Sequence, residues 1–178
     1  MSSSGGCSGD RREQKLNYIY FCWGSAHSSV TAAAIHLCCI GSSRRPGVAE
    51  VMQIPRFDLT PNSDIGKLFF MGKDDRGDAV YVVGLGAQHR GFRHIIDQYL
   101  CLLGLGPEEY RLVNCLPCVT CFTRIGGYFS RSLGLVWVGR RLAALGVRQS
   151  FWAYVRLVEK VRASDRQEPA FLDWTPPV

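Results

Sequence analysis

The sequence has no long apolar segment. Although 47% of its 178 residues are hydrophobic, no stretch reaches the roughly 18 uncharged apolar residues that a membrane-spanning helix needs. The first fifteen residues, MSSSGGCSGDRREQK, also lack the apolar core of a secretory signal peptide. We therefore expect a cytoplasmic globular protein without membrane insertion, preceded by a disordered tail over residues 1–15.

Complete signatures for metals and disulfide frameworks are missing as well. The eight cysteines occur without a secretory signal, so we expect them to be reduced thiols. The sequence contains neither a complete ferredoxin spacing nor the second C-x-x-C or paired-histidine motif that a zinc site needs. It therefore predicts no metal site and identifies no cofactor.

Positive charge is concentrated in the last third of the chain. Residues 119–166 carry nine Arg or Lys against Glu159 and Asp165, whereas the rest of the chain has twelve basic and thirteen acidic residues. This asymmetry is typical of proteins with an anionic partner, such as a phosphorylated metabolite, a nucleic acid or a lipid headgroup. A solvated basic face explains it equally well.

Short apolar runs alternate with segments of helical periodicity. The alternation predicts one α/β domain over residues 16–162, with a three-layer, mostly parallel sheet of Rossmann-like or P-loop-like type and an added β-hairpin. Residues 163–178 are expected to form a polar tail. The predicted elements are strands over 16–22 and 110–117, a hairpin over 67–86, and helices over 28–39, 48–55, 89–104, 119–134 and 149–162.

Spacing also predicts which side chains of two helices face the core. The run LGLVWVG, before Arg140 and Arg141, is interpreted as a further strand. The predicted inner faces are Phe92, Ile95, Ile96, Tyr99, Leu100 and Leu103 in one helix, and Phe151, Val155, Val158 and Val161 in the last.

The stretch CWGSAHSS, residues 22–29, joins the first predicted strand to an alanine-rich helix. In parallel sheets, ligands bind at the carboxyl ends of strands, beside helix N-termini whose N–H groups and dipole favour anions. A helix cap needs one polar side chain, and this loop has four after its turn at Gly24, which favours an anion site. His27 would add charge, shuttle a proton or accept a phosphoryl group. The polar residues of the loop are Ser25, His27, Ser28 and Ser29, and the alternative is a plain cap through one of the last two.

Known phosphate loops match this stretch incompletely. GSAHSS lacks the second Gly and the Lys of a Walker loop. Low-molecular-weight tyrosine phosphatases carry C-x5-R-S after a strand, and Cys22-x4-His27-Ser28 resembles that pattern but is one residue short and has no Arg. Sugar phosphotransferase IIB domains also begin a phosphate loop with Cys after their first strand. Cys22 is thus a candidate nucleophile, and the alternative is a buried thiol at a strand end.

Arginines of the basic third are candidate counter-charges for this loop. Arg124 and Arg131 would lie about 20° apart on one helix face, with Gly126-Gly127 between them. A guanidinium fork matches two phosphate oxygens, so Arg131 and Arg140 are predicted as the second half of a phosphate site. Ordinary ion pairing explains each of them equally well.

Two further polar residues follow predicted apolar segments. Asp58 in IPRFD is a candidate to orient His27 or to bind a metal, and the alternative is a turn cap. Asn114 ends a predicted strand, where it would bind a ligand or tie down its own loop.

The segment NCLPCVTC contains two overlapping C-x-x-C spacings, from Cys115 to Cys118 and from Cys118 to Cys121. The first resembles a thioredoxin active site. Thioredoxins also need a downstream cis-proline, and no proline occurs between Pro117 and Pro169. Small apolar thiols in a core are therefore the favoured interpretation.

Four segments in order resemble an uncharacterised domain-of-unknown-function family of Firmicutes, over roughly residues 17–162. They are YFCWGSAHSSVTAAAIHL, FFMGKDDRGDAVYVVGLG, LVNCLP and RIGGYFSRSLGL...GRRL. The family brings no established activity. Its pattern usually has Gly where this chain has Ser25, and it does not include the cysteines of NCLPCVTC.

The sequence leaves three functions open. The leading hypothesis is a protein that binds a phosphorylated metabolite or nucleotide, and whether it is also a phosphoryl or related group-transfer enzyme is left open. The second is a non-catalytic regulatory module whose basic third binds nucleic acid or a protein. A thiol-redox role through Cys115 and Cys118 is the third.

Overall fold

The computed structural model describes residues 15–106, 108–121, 136–164 and 171–172. The predicted N-terminal tail falls almost entirely outside these ranges. So does most of the helix predicted over 119–134, together with Arg124 and Arg131. These expectations therefore stay predictions.

The core of the fold is a five-stranded sheet. The strands are β1 (Asn17–Cys22), β2 (Leu68–Lys73), β3 (Ala79–Gly84), β4 (Tyr110–Asn114) and β5 (Phe171–Leu172). They lie in the order β2-β3-β1-β4-β5. The central strand β1 pairs in parallel with β3 and β4, and β5 continues in parallel with β4. β2 is antiparallel to β3, which confirms the predicted hairpin on a mostly parallel sheet.

Helices lie on both faces of the sheet, which confirms the α/β architecture. They are α1 (Ser28–His36), α2 (Val48–Met52), α3 (His89–Leu102), α4 (Val136–Gln149) and α5 (Phe151–Ala163). Alternate residues of β1 point to opposite faces, so Tyr18 and Tyr20 join one buried cluster and Ile19 and Phe21 the other. The first cluster includes residues of α1, α2, α4 and α5, and α3 packs against the second. Among the described residues, no helix combines the length and apolarity needed to cross a membrane.

The inner face predicted for the helix over 89–104 is partly wrong. Ile96 and Leu100 pack against the second cluster. Ile95, Tyr99 and Leu103 are exposed, because α3 meets the sheet along a narrow stripe and the flanking apolar positions face solvent. The inner face predicted for the last helix is confirmed, since Phe151, Val155, Val158 and Val161 are buried.

Two other local predictions differ from the structure. Arg140 and Arg141 lie within α4 and not at a strand end, because a short apolar run such as LVWV does not distinguish strand from helix. The segment predicted as a polar tail contributes Phe171–Leu172, which pairs with Leu112 and Val113 of β4. A two-residue strand depends on pairing with a distant segment, and no local pattern reveals it.

Candidate functional site

The candidate site lies at the carboxyl edge of the sheet, where β1 and β4 end side by side. Phe21 is in register with Asn114, and the backbone N–H of Cys115 donates to the carbonyl of Phe21 at 3.0 Å. The stretch at residues 22–29 and the segment that follows Asn114 therefore leave the sheet as neighbours. We call residues 22–29 the β1–α1 loop.

Cys22 is at the base of the β1–α1 loop and is buried. Its Sγ accepts the backbone N–H of Ser25 at 3.2 Å and lies 3.1 Å from the hydroxyl oxygen of Ser29. Ser29 is seven residues after Cys22, which is the spacing of Cys and Ser in C-x5-R-S. Aligned on this contact, Ser28 stands at the arginine position of the phosphatase pattern, so this loop provides no arginine of its own.

His27 and Asp58 form a hydrogen-bonded pair. This is the contact that we expect if Asp58 orients the ring of His27. Nε2 of His27 lies 3.0 Å from Oδ1 of Asp58, and the side chains are 11% and 1% exposed. The His27 ring also packs edge-on against Phe57, with ring centroids 5.1 Å apart. With an ionised Asp58, Nε2 carries the proton and Nδ1 is the basic nitrogen. This geometry suits proton transfer or nucleophilic attack at Nδ1.

His27 is the N-cap residue of α1, and its side chain does not cap the helix. The cap through Ser28 or Ser29 is therefore not formed. Thr31 donates both its backbone N–H and its hydroxyl to the carbonyl of His27, at 2.9 and 2.7 Å. Within the described ranges, the N–H groups of Ser28, Ser29 and Val30 have no acceptor. They form the positive end of the α1 dipole.

Ser25 is buried within the β1–α1 loop in a left-handed conformation, with φ of 44°. Its carbonyl accepts the hydroxyl of Thr60 at 3.0 Å. Its own Oγ is buried and has no hydrogen-bond partner among the described residues. An unsatisfied buried hydroxyl costs about 1–3 kcal/mol, and a left-handed non-glycine residue costs about 1–2 kcal/mol. Ser25 thus raises the free energy of the folded chain through both its backbone conformation and its unsatisfied hydroxyl.

Backbone strain is concentrated around the same loop. Among described non-glycine residues, Ser25, Arg56, Asp58 and Cys38 have positive φ. Cys38 follows the end of α1, where the N–H of Cys39 bonds the carbonyl of Ala34, an ordinary left-handed helix ending. The other three belong to the loop or to the turn at residues 56–60, which contacts it. Strain of this kind is typical of functional sites.

Gly24 and Gly84 bring β3 and the β1–α1 loop into close contact. A Cβ at Gly84 would lie 2.8 Å from the carbonyl carbon of Gly24 and 2.9 Å from the nitrogen of Ser25. The loop is also held by the turn at residues 56–60, because the N–H of Asp58 donates to the carbonyl of Ala26 at 2.9 Å. The loop is therefore fixed from two sides.

Other predicted residues have contacts within the fold. Nη2 of Arg140 donates to the carbonyl of Met52 at 2.8 Å, at the end of α2. Oδ1 of Asn114 accepts the N–H of Leu116 at 3.0 Å and so ties down its own loop. Arg162 of the basic third forms two hydrogen bonds with Asp75, at 2.6 and 2.7 Å. None of these contacts favours the nucleic-acid hypothesis, and the binding role of Arg140 stays a prediction.

The cysteine segment does not have the properties of a redox site. Cys115 and Cys118 are buried, and all described cysteines are free thiols. Burial raises the pKa of Cys115 well above its usual value and that of Cys118 to about 12. A thiol must ionise to attack a disulfide, so these two protonated thiols favour the structural interpretation.

Arg56 is a further candidate residue that the sequence did not indicate. Its guanidinium carbon lies 3.7 Å from the ring centroid of Phe69, and its buried Nε has no hydrogen-bond partner within the described ranges. The available signal was its position in IPRFD, two residues before Asp58. Its turn, at residues 56–60, contacts the loop through Asp58 and Thr60.

Comparison with known proteins gives a family and no activity. A family model described as "Protein of unknown function (DUF3189)" matches residues 17–163. No curated protein and no solved structure matches the chain significantly. The matched range contains the β1–α1 loop and the turn at residues 56–60.

Proposed function

The chain belongs to the DUF3189 family, whose function is unknown, and we propose from its site geometry that it binds a phosphorylated small molecule in the β1–α1 loop. The observation that carries this proposal is the buried Oγ of Ser25, which has no hydrogen-bond partner in the part of the chain that the structure describes. It lies in the loop that leads into three unbonded N–H groups at the start of α1. A phosphate group has several acceptor oxygens, and it would satisfy these donors together.

The surroundings of the loop favour an organic phosphate over inorganic phosphate. Trp23 is 48% exposed, Leu59 is 63% exposed and Ile65 is 36% exposed. Trp23 belongs to the β1–α1 loop, and its carbonyl accepts the N–H of Gly86. The side chain of Ile65 lies over the same glycine. Leu59 is in the turn at residues 56–60. Apolar side chains beside an anion site suit the base of a nucleotide or another apolar part of a metabolite.

The chemistry we propose is phosphoryl or related group transfer. Nδ1 of His27 would act as acid, base or phosphoryl acceptor, with Asp58 holding Nε2 as described above. The thiol of Cys22, in contact with Ser29 and the N–H of Ser25, is the alternative nucleophile.

Calorimetric titration with inorganic phosphate, phenyl phosphate and adenosine monophosphate tests the binding proposal. We expect the two organic phosphates to bind more tightly than inorganic phosphate. Ser25→Gly should weaken all three without lowering stability, because glycine removes the hydroxyl and tolerates the left-handed backbone. Ser43→Gly, at an exposed loop residue, is the matched control. His27→Ala should also weaken binding, with the exposed His94→Ala on α3 as its control.

The proposal has clear ways to fail. If the wild-type protein binds none of the three ligands, the loop is not a phosphate site. Binding that is unchanged in both Ser25→Gly and His27→Ala would place any observed phosphate elsewhere. Release of phosphate from phenyl phosphate by wild type, lost in His27→Ala and retained in His94→Ala, would support the enzymatic form of the proposal.

A further inference from the structure

Arg56 carries a positive charge that no described residue neutralises. Neither a salt bridge nor a hydrogen bond joins its guanidinium to any residue in the described ranges, and its Nε is buried. Its guanidinium carbon lies over the ring of Phe69, at 3.7 Å from the ring centroid. Stacking uses the face of the guanidinium plane and leaves the in-plane N–H groups free to donate hydrogen bonds.

The position of Arg56 connects it to the β1–α1 loop. Phe69 is in β2 opposite Val82, two residues before Gly84, so the stacked pair lies near the carboxyl edge of the sheet. Arg56 also begins the turn at residues 56–60, in which Asp58 bonds His27 and the backbone of Ala26. The cation is therefore part of the segment that holds the site.

Two features of Arg56 raise the free energy of the folded chain, and pairing with an anion would offset only the second. Arg56 has φ of 66°, and a left-handed non-glycine residue costs about 1–2 kcal/mol. Partial burial of an unpaired charge adds a desolvation penalty. The nearby loop has donors for an anion but no cationic side chain at the position where the phosphatase pattern has arginine, since Ser28 stands there.

We propose that Arg56 is the cationic ligand-binding residue of this site and pairs with the phosphate group of the bound molecule. This inference rests on the proposed function, because it needs a phosphate in the β1–α1 loop. Phe69 holds the guanidinium plane by stacking, and the N–H edge donates to phosphate oxygens. No residue of the basic C-terminal third is required for this role.

Titration of Arg56→Gln with inorganic phosphate and phenyl phosphate tests the inference. We expect both dissociation constants to rise about 10- to 100-fold, the usual effect of losing a charge-assisted hydrogen bond. Arg45→Gln, at an exposed residue, has the same charge change and should bind as wild type does. Arg56→Ala should regain part of its affinity when millimolar guanidinium ion is added, whereas Arg45→Ala should not respond.

The outcomes separate this inference from the proposed function. Wild-type affinity in a folded Arg56→Gln variant overturns the role of Arg56 while the loop remains a phosphate site. Equal losses in Arg56→Gln and Arg45→Gln also overturn it, because they reveal only long-range charge. Failure of wild type to bind phosphate removes both proposals. If Arg56→Gln does not fold, Arg56→Lys provides the test: it keeps the charge and loses the fork, and unchanged affinity would refute pairing through the fork.

Discussion

Replacing Gly84 with alanine is expected to displace the β1–α1 loop. The added Cβ would lie 2.8 Å from the carbonyl carbon of Gly24, and 2.9 Å from both the Cα of Gly24 and the nitrogen of Ser25. Ordinary carbon contacts begin near 3.5 Å. All three neighbours are backbone atoms, so no side chain can rotate away. Either β3 or the loop has to shift by roughly half an ångström or more.

The cost of this shift follows from overpacking. Inserting a methyl group into a packed site typically costs about 1–3 kcal/mol. For a chain of this size each kcal/mol lowers the unfolding temperature by about 2–4 °C, so we expect a decrease between about 2 and 12 °C. The hydrogen bond from the N–H of Ser25 to Cys22 should weaken in the same variant, because the clash acts on that nitrogen.

Thermal unfolding and phosphate titration check this prediction together. Gly41→Ala is the control, since a Cβ there meets nothing within 4 Å. We expect Gly84→Ala to lose stability and phosphate affinity while Gly41→Ala changes neither. An unfolding temperature within 1 °C of wild type, with unchanged affinity, would show that the loop is not held against β3 as described.

Two other predictions concern buried titratable groups. Burial lowers the pKa of His36, and the hydrogen bond between His36 and Asp74 opposes that shift only in part. The unfolded chain therefore binds more protons than the folded chain below about pH 6.5. The free energy of unfolding should therefore decrease as pH falls through that value. Denaturant unfolding of wild type and His36→Gln at pH 5 and pH 7 measures this decrease. Equal pH dependence in both proteins would contradict the assignment to His36. Cys115 and Cys118 should resist a thiol-labelling reagent until the protein unfolds, whereas the exposed Cys38 should react at once. Mass spectrometry of labelled peptides would detect the opposite order.

Features that depend on neighbouring residues were predictable from the sequence. β1 could be located from its apolar run and the hairpin from the turn at Asp74–Asp78, because both signals extend over a few residues. The exposure of Ile95 and Tyr99 depends instead on how α3 sits on the sheet, and periodicity does not contain that information. The strand Phe171–Leu172 likewise exists only through its pairing with β4.

The candidate site was predictable to the same extent. The β1–α1 loop has an excess of polar residues within eight positions, and that signal is local. Asp58 is 31 residues from His27, and the sequence offered it only as one option among three. Arg56 depends on a left-handed turn and on stacking against Phe69, which is thirteen positions away in the chain. Long-range contacts of this kind are set by the tertiary fold.

A comparison of His36 in α1 with His27 at its N-cap favours the N-terminal end of the helix for the proposed chemistry. Both ring nitrogens of His36 have partners, with Nδ1 at 2.6 Å from the hydroxyl of Tyr20 and Nε2 at 3.2 Å from Asp74. That ring is fully buried and has no free nitrogen to act on a ligand. In the described part of the chain, His27 has a partner at Nε2 alone, and its ring is partly exposed. A histidine acts as acid, base or nucleophile through a nitrogen that is free to meet the substrate. Of these two rings, only His27 meets that condition, and it does so beside the unbonded N–H groups that would bind an anion.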